Sequence, residues 1–476
     1  MAGWLVLIPF IILVLMNSPV RRIIKHAYFG LLLVFLSWQL GFTIFGSQRS
    51  LNLGNNSLAP WLKFQLNIDS LSVIVLAVIS LAGLVSLILA QVLIKENRPR
   101  QHFLNLFTIA ILGMNAVTML EDVFSLYVFL EVTAVSSFVL IALQKNRDCL
   151  EASFKYLVMS SVATLLLLSG VALFILTCSG TSFAAISEGM AFAGTSPWIK
   201  VALGLFTCGL LIKSGMIPFH AWVPDAYAAA SDPVSVLLAG AVTKVAGLYA
   251  ILRLVIFVWG FSPVIEQTLL FVGALSVVGG ALLALAQKDF KRMLAYSSIS
   301  QLGYVLLGLG SGTMVGVAGA IFHFFNHTVF KSLLFVNAAS FKQHTGSDDM
   351  EKLKGVSSVM PCSSITSLAG FFSGAGIPPF AGFWSKLLVI LGLWEASRQG
   401  YAVIAILAGL LTMGYFLNLE RKIFLGGESV EFKKHKVNNT IVWLEVTLAL
   451  LTLLCGLFYP YLLEHFMLPA AASMLP

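Results

Sequence analysis

The stretch "CGLLIKSGMIPFHAW", residues 208–222, sets an ammonium side chain, Lys213, inside an apolar run and places Pro218 five residues after it. Proline removes a backbone hydrogen bond and breaks a helix. Freed backbone groups and a buried charge are both costly where water is scarce, so the pair of features needs a surrounding that satisfies them.

The rest of the chain supplies a membrane as that setting. Of 476 residues, 58% are hydrophobic and only 11% are charged, and the mean hydropathy is +0.93, whereas a soluble domain carries about a quarter charged residues. Apolar stretches of about 18 residues or more, enough to cross a bilayer, recur from end to end. About fourteen are counted, at roughly 3–19, 27–46, 68–94, 103–120, 124–143, 154–178, 200–219, 232–259, 264–286, 293–311, 314–341, 360–395, 401–419 and 440–463. The twelfth is too long for one straight helix and is interrupted by Pro378 and Pro379. The fold class is an all-α integral membrane protein with no stretch left for a large soluble domain. The N-terminal run has no basic region and no small-residue cleavage site, so it reads as a first span and not as a removed signal.

Lysine and arginine resist translocation and collect in short cytoplasmic loops. With the N-terminus outside, the inner loops are "RRIIK", "KENRPR", "KNRDCLEASFK", "KDFKR", "KQHTGSDDMEKLK" and "RKIFLGGESVEFKKHK", holding about twenty of the 29 basic residues. Four lie outside: Arg49, Lys63, Lys200 and Arg398. This alternation places both termini on the outer side of the membrane, and it accounts for the net charge of +8 without any nucleic-acid partner. The five cysteines stand singly, with no C-x-x-C pair, and predict neither a metal site nor an iron–sulfur cluster.

Five basic residues fit neither side: Lys213, Lys244, Arg253, Lys331 and Lys386. An ionisable group at a helix centre costs about 2.5–3.5 kcal/mol on insertion scales, so it faces a protein interior or a wet cavity, or snorkels to the interface on its long stem. Arg253, near the end of its span, suits snorkelling or structural pairing equally. The four lysines lie deeper and mark a path. Glu131, about seven residues into the fifth span, is expected to pair with Lys213, so that the proton on Lys213 is held or released as the pair closes and opens.

In "AIFHFFNHTVFKSLLF", His323, His327 and Lys331 recur at i, i+4, i+8 and share one helix stripe, with a rise of about 6 Å between neighbours. Imidazoles titrate near neutral pH, and this spacing suits proton carriers bridged by water. Metal ligation by the i, i+4 pair and hydrogen bonding across helices are the two other readings of the same histidines. The second proline break resembles the first: "GAGIPPFAGFW" around Pro378 and Pro379 echoes "SGMIPFHAW" around Pro218, about 160 residues earlier. That offset holds roughly five spans, and an odd number inverts the second copy.

The stretches "LIKSGMIPFHAWVPDAYAAASDPVSVLLAGAVTKVAGLYAILR", "KDFKRMLAYSSISQLGYVLLGLG", "HFFNHTVFKSLLF" and "GIPPFAGFWSK" resemble the antiporter-like proton-translocating subunits of respiratory complex I, of Mrp-type multisubunit Na+/H+ antiporters and of membrane-bound hydrogenases. The resemblance covers nearly the whole chain and is strongest over about 121–395. It implies fourteen helices, two inverted five-helix repeats, broken helices seven and twelve, and a polar central axis. Its helix-five glutamate matches Glu131. Its helix-seven, helix-eight and helix-twelve lysines match Lys213, Lys244 and Lys386, and its helix-eleven relay is similar to His323, His327 and Lys331. The expected layout is 1–102 for helices one to three, 103–259 and 264–419 for the repeats, and 440–463 for helix fourteen.

The long lateral extension of the largest complex I relatives has no counterpart in "MLPAAASMLP", so length and motifs look most similar to the D-type Mrp subunit or its hydrogenase counterpart, with a complex I subunit of similar length as the alternative. No Walker A pattern, dinucleotide fingerprint or cysteine cluster occurs. The expectation is therefore proton movement, with or without Na+, driven by partner membrane subunits and peripheral iron–sulfur or hydrogenase-like subunits, and no cofactor in this chain. A stand-alone secondary transporter, or a structural subunit with an idle relay, would share the broken helices.

Overall fold

The computed structural model describes residues 2–19, 27–45, 66–178, 180–193, 196–255, 258, 260, 262–423 and 438–475. Numbering the spans in chain order gives α1 (Ala2–Asn17), α2 (Tyr28–Phe45), α3 (Ser70–Leu93), α4 (Asn97–Met119), α5 (Val123–Ile141) and α6 (Arg147–Thr177). A broken span follows, α7a (Pro197–Ser214) and α7b (Trp222–Ala229), then α8 (Asp232–Leu254), α9 (Pro263–Leu285), α10 (Phe290–Gly310) and α11 (Met314–Thr345). A second broken span, α12a (Pro361–Ala375) and α12b (Ala381–Glu395), precedes α13 (Gln399–Ile423) and α14 (Asn439–Leu457). Eleven of these helices are long and apolar enough to cross a bilayer by themselves. The shorter α1, the 32-residue α11 and the broken α12 bring the spans among the described residues to fourteen. The loop runs 20–26 and 424–437, with Arg49 and Lys63, lie outside the described residues.

A helix that is apolar all round belongs in an interior, and one lined on a single stripe belongs at the rim. The whole of the α8 window and 94% of the α10 window are buried, against 33% for α2, α6 and α14. With α11, these two helices form the centre, and the helices around them leave side chains such as Phe154, Leu165, Leu176, Leu410 and Trp443 facing outward for lipid.

Local chemistry sets the helix ends. Asp69, Asp122, Asn146, Asp289, Thr313 and Asn438 cap their helices by accepting a first-turn backbone N–H. Two of these caps sit in matching places. Asp122 bridges to Ser182 beyond α6, and Asp289 bridges to Asp349 beyond α11, an offset of 167 residues in each case (122 to 289, 182 to 349).

The two breaks match as well. Gly215 ends α7a and Gly376 ends α12a, both left-handed (φ 67° and 83°), a conformation that glycine adopts without a Cβ penalty. Each is followed within three residues by its proline and a further helix.

The bilayer-depth bases resolve differently from a uniform set. Arg253 does not snorkel. It is fully buried, ion-pairs with Asp69, and donates to Ser72 Oγ at 2.9 Å and Thr118 O at 3.3 Å. Burial alone would push the Asp69 carboxyl up, but the guanidinium and two bonds from Ser72 hold it below the usual carboxylate range. Lys291, counted with a basic loop by its position in "KDFKR", is buried in the first turn of α10 and ion-pairs with Asp232 at the start of α8.

Candidate functional site

The first polar cluster stands where α5, α6 and α7a meet. Lys213 is in the last turn of α7a and buried, and its Nζ lies 2.7 Å from Glu131 Oε1. The same ammonium donates to Ser160 Oγ at 3.3 Å, and Thr164 Oγ1 donates to Glu131 Oε1 at 2.7 Å. A charge-assisted bond between oppositely charged partners compensates much of the cost of taking either from water.

The break explains the position of the lysine. A helix that stops inside the membrane leaves carbonyls without intrahelical partners and presents the negative end of its dipole, which favours a cation. Trp222 Nε1 donates to one of these carbonyls, Ile212 O, at 3.1 Å. At the second break the same need is met by a lysine: Lys386 Nζ donates to Gly374 O, one residue before the end of α12a, at 2.6 Å. Lys386 also stands 4.8 Å from the centroid of the Tyr304 ring on α10, a cation–π distance.

Between the two breaks runs a second cluster on α8, α10, α11 and α12b. Lys244 lies among π-helical turns at Leu238–Val242 and Lys244–Tyr249. Its Nζ donates to Ala239 O and Gly240 O, both at 2.8 Å, and to Thr328 Oγ1 on α11 at 2.9 Å. Next to Thr328 is His327, whose ring centroid is 6.4 Å from that of His323. His323 Nδ1 meets Ser385 Oγ at 2.9 Å, one residue from Lys386. Lys331 donates to Leu294 O at 2.9 Å and to Ser297 Oγ, both on α10.

Lys244, His327, His323 and Lys386 thus lie in one buried row, with Thr328 and Ser385 as the hydroxyls bonded to its two ends and Lys331 one turn from His327. Lys213 and Glu131 form a separate pair. Both ring nitrogens of His327, Nε2 of His323, Nδ2 of Asn326 and Oε1 of Gln301 are buried without a hydrogen-bond partner. Buried polar atoms of this kind are costly unless something mobile and polar serves them.

No metal-binding group of three or more His, Cys, Asp or Glu side chains occurs among the described residues. The histidine pair thus has no third ligand of those types, and a metal role gains no support.

The sequence reading missed the neutral members: Ser160, Thr164, Thr328, Ser385 and Tyr304. A serine or threonine in a membrane span is common, so nothing in its type marks it until a partner arrives from another helix. It also missed Glu445, a buried carboxylate in α14, although a lone acid in "TIVWLEVTLALL" is the same signal that picked out Glu131.

The architecture and these clusters define a polytopic bundle with a polar axis of buried bases. Residues 121–412 match the sequence profile of the family described as NADH:quinone oxidoreductase/Mrp antiporter, transmembrane, and the chain belongs to that family. The D-type subunit of the Na(+)/H(+) antiporter of Alkalihalophilus pseudofirmus is 31% identical over 468 residues, covering 95% of this chain and 92% of that one. The N-type subunit of the NADH-quinone oxidoreductase of Desulforudis audaxviator is 32% identical over 373 residues, covering 77% and 74%. A chain in the Mrp complex from Dietzia sp. DQ12-45-1b superposes with a TM-score of 0.89 over 99% of this chain and 97% of its own length, at 24% identity, a likeness of fold.

Proposed function

We propose that this chain is an antiporter-like subunit of a multisubunit membrane complex and that it moves protons along Lys244, His327, His323 and Lys386, with Lys331 as a side station and the Glu131–Lys213 pair as the gate. The carrying observation is the row of buried polar side chains that runs from Lys244, bonded to Thr328, past His327 and His323, whose ring centroids stand 6.4 Å apart, to Ser385, bonded to His323, and its chain neighbour Lys386. A carrier must release what it binds. The three central lysines hold their ammonium groups on neutral oxygens, so a proton can leave without stranding a carboxylate.

Glu131 behaves differently. When its bond to Lys213 opens, the ammonium loses its compensating charge and the lysine proton becomes easier to lose. Opening and closing would thereby gate transfer toward Lys244.

The basic loops 145–155, 288–292 and 342–354 share one side, which we assign to the cytoplasm, with both termini outside a prokaryotic cell membrane. The matching caps and breaks support two inverted repeats at 103–259 and 264–419, between 1–102 and the last span at 440–463. Protons would enter near Lys244 and leave outside beyond Lys386. Moving one charge against 100 mV takes about 2.3 kcal/mol, so a partner or an opposing Na+ gradient must supply the drive. The D-type relative spans nearly the whole of both chains, which supports other membrane subunits as the partners.

The test is proton translocation by the purified complex in vesicles. Lys213→Ala and Lys386→Ala should each lower the initial rate at least tenfold with the complex still assembled. Wild-type rates in both would sink the relay.

A further inference from the structure

A carboxylate that the relay does not use is buried in α14. Glu445 has no exposed surface, and no basic side chain pairs with it among the described residues. Ser363 Oγ on α12a donates to its Oε2 at 2.7 Å, and the side chains of Ser340 and Asn337 on α11 also lie against the carboxyl.

Asn337 is locked in one orientation. Its Nδ2 donates to Ser363 O at 3.2 Å and to Thr366 Oγ1 at 3.0 Å, which leaves Oδ1 as a buried acceptor without a donor. Glu445 Oε1 is likewise a buried acceptor without a donor. A single proton on Oε1 removes the uncompensated charge of the buried carboxylate and gives that oxygen a hydrogen of its own.

The cluster lies near the side of the basic loops. Glu445 is six residues from the start of α14, Ser340 five from the end of α11, and Ser363 two from the start of α12a. From there the buried face of α12a continues as Ser363, Ser367, Gly370, Ser373 and Gly374, a rise of about 16 Å. Its far end is Gly374 O, the carbonyl that holds Lys386, beside Asn326 on α11, which accepts from Ser373 Oγ at 3.4 Å and has an unpartnered Nδ2. Midway, Leu334 fills the space over Gly370: a Cβ there would meet Leu334 Cδ2 at 2.6 Å. The seam is thus polar at both ends and closed by an aliphatic side chain between them.

We propose that Glu445 is a proton-loading carboxyl at the mouth of this α11–α12a seam, feeding Lys386 from the side of the basic loops independently of the Glu131–Lys213 pair. The inference rests on the relay reading for the role of Lys386. The proton comes from the medium, binds Oε1, passes to the seam when Leu334 swings aside, and ends on the amine of Lys386, leaving the carboxylate to reload. Few titratable groups face this site. Cys362 on α12a lies beside the carboxyl, α11 carries His344 one turn past Ser340, α12b carries Lys386 and Glu395, and α3 carries none. None of them is ion-paired with Glu445.

The experiment is proton translocation by the intact complex in vesicles, with the pH on the basic-loop side varied. Glu445→Gln keeps the shape and removes the buried charge, so it should assemble. Its expected result is a rate about tenfold lower that no longer varies with pH on that side. Glu445→Asp should recover most of the rate. Ser363→Ala, which removes only the donor to Oε2, should move the midpoint of the pH profile upward.

A wild-type rate and profile in Glu445→Gln would overturn the proposal, as would equal losses in the Gln and Asp variants that follow thermal stability. Lys213→Ala serves as the control. If it abolishes transport while Glu445→Gln does not, the loading site fails and the relay stands. If neither has an effect, the relay itself has failed.

Discussion

The flank built by α3, α5, α7a and the C-terminal end of α8 and the axis built by α8, α10, α11 and α12b both bury bases, but they hold them by different means. On the flank, each base has a carboxylate: Lys213 has Glu131, and Arg253 has Asp69. Along the axis, Lys244, Lys331 and Lys386 rest on backbone carbonyls, hydroxyls and a tyrosine ring, whereas Lys291, at the loop end of α10, is paired with Asp232. A compensated pair is stable until one member is removed, after which the survivor is a lone buried charge. A base on neutral acceptors leaves no charge behind. The flank is therefore suited to hold or to switch, and the axis to conduct.

Four substitutions test this contrast. Asp69→Asn should have the largest effect on stability, about 3–5 kcal/mol, because the guanidinium of Arg253 is fully buried and would be stranded. Thermal unfolding of the purified complex measures it. The sign of its pH dependence follows from the depressed Asp69 carboxyl. The stabilisation is complete above the unfolded value of about 3.9 and is lost as pH falls through the lower folded value. The gap between wild type and variant should thus stay level from neutral pH down to about 5 and close only in acid.

Glu131→Gln should cost less, about 1–3 kcal/mol, since the Glu131 side chain is 25% exposed and screened in part. It should nevertheless lower translocation at least tenfold. Pairing it with Lys213→Met should restore stability without restoring transport. A double variant no more stable than the single would show that Lys213 is not stranded by the loss of Glu131.

Lys386→Met should change stability by only about 1 kcal/mol, the scale of one hydrogen bond and a ring contact, while abolishing transport. A loss as large as that of Asp69→Asn would erase the distinction between flank and axis. Thr164→Val is the smallest change. It removes a single donor to Glu131 and should cost about 0.5–1.5 kcal/mol, with the rate altered only a few-fold.

How much of this was legible in the chain depends on the kind of signal. The spans were readable because about 18 successive apolar residues have few other uses. The seven residues proposed for the relay stood out because an ionisable group in such a run is rare. Arg253 illustrates the limit. Its partner, Asp69, is 184 residues away, and nothing in either neighbourhood names the other. Lys291 shows the converse error: a base next to Arg292 and three residues from Lys288 looks like loop charge, yet the first turn of α10 carries it inward to Asp232. Glu445 went unread because it lies close to a span boundary, where an acid usually reaches water.

The sequence by itself determined the solvent, the number of spans, the two breaks and most of the buried ionisable groups, Lys291 and Glu445 excepted. These follow from composition and from proline and glycine chemistry, which act within a few residues. Only the tertiary structure decided which bases are compensated and which are held by neutral oxygens, that Lys386 caps a broken helix, and that Ser363 and Asn337 converge on Glu445. A charge inside a membrane takes its behaviour from the nearest dipoles, and in a bundle those belong to other helices, brought to hydrogen-bonding distance by packing and not by order along the chain.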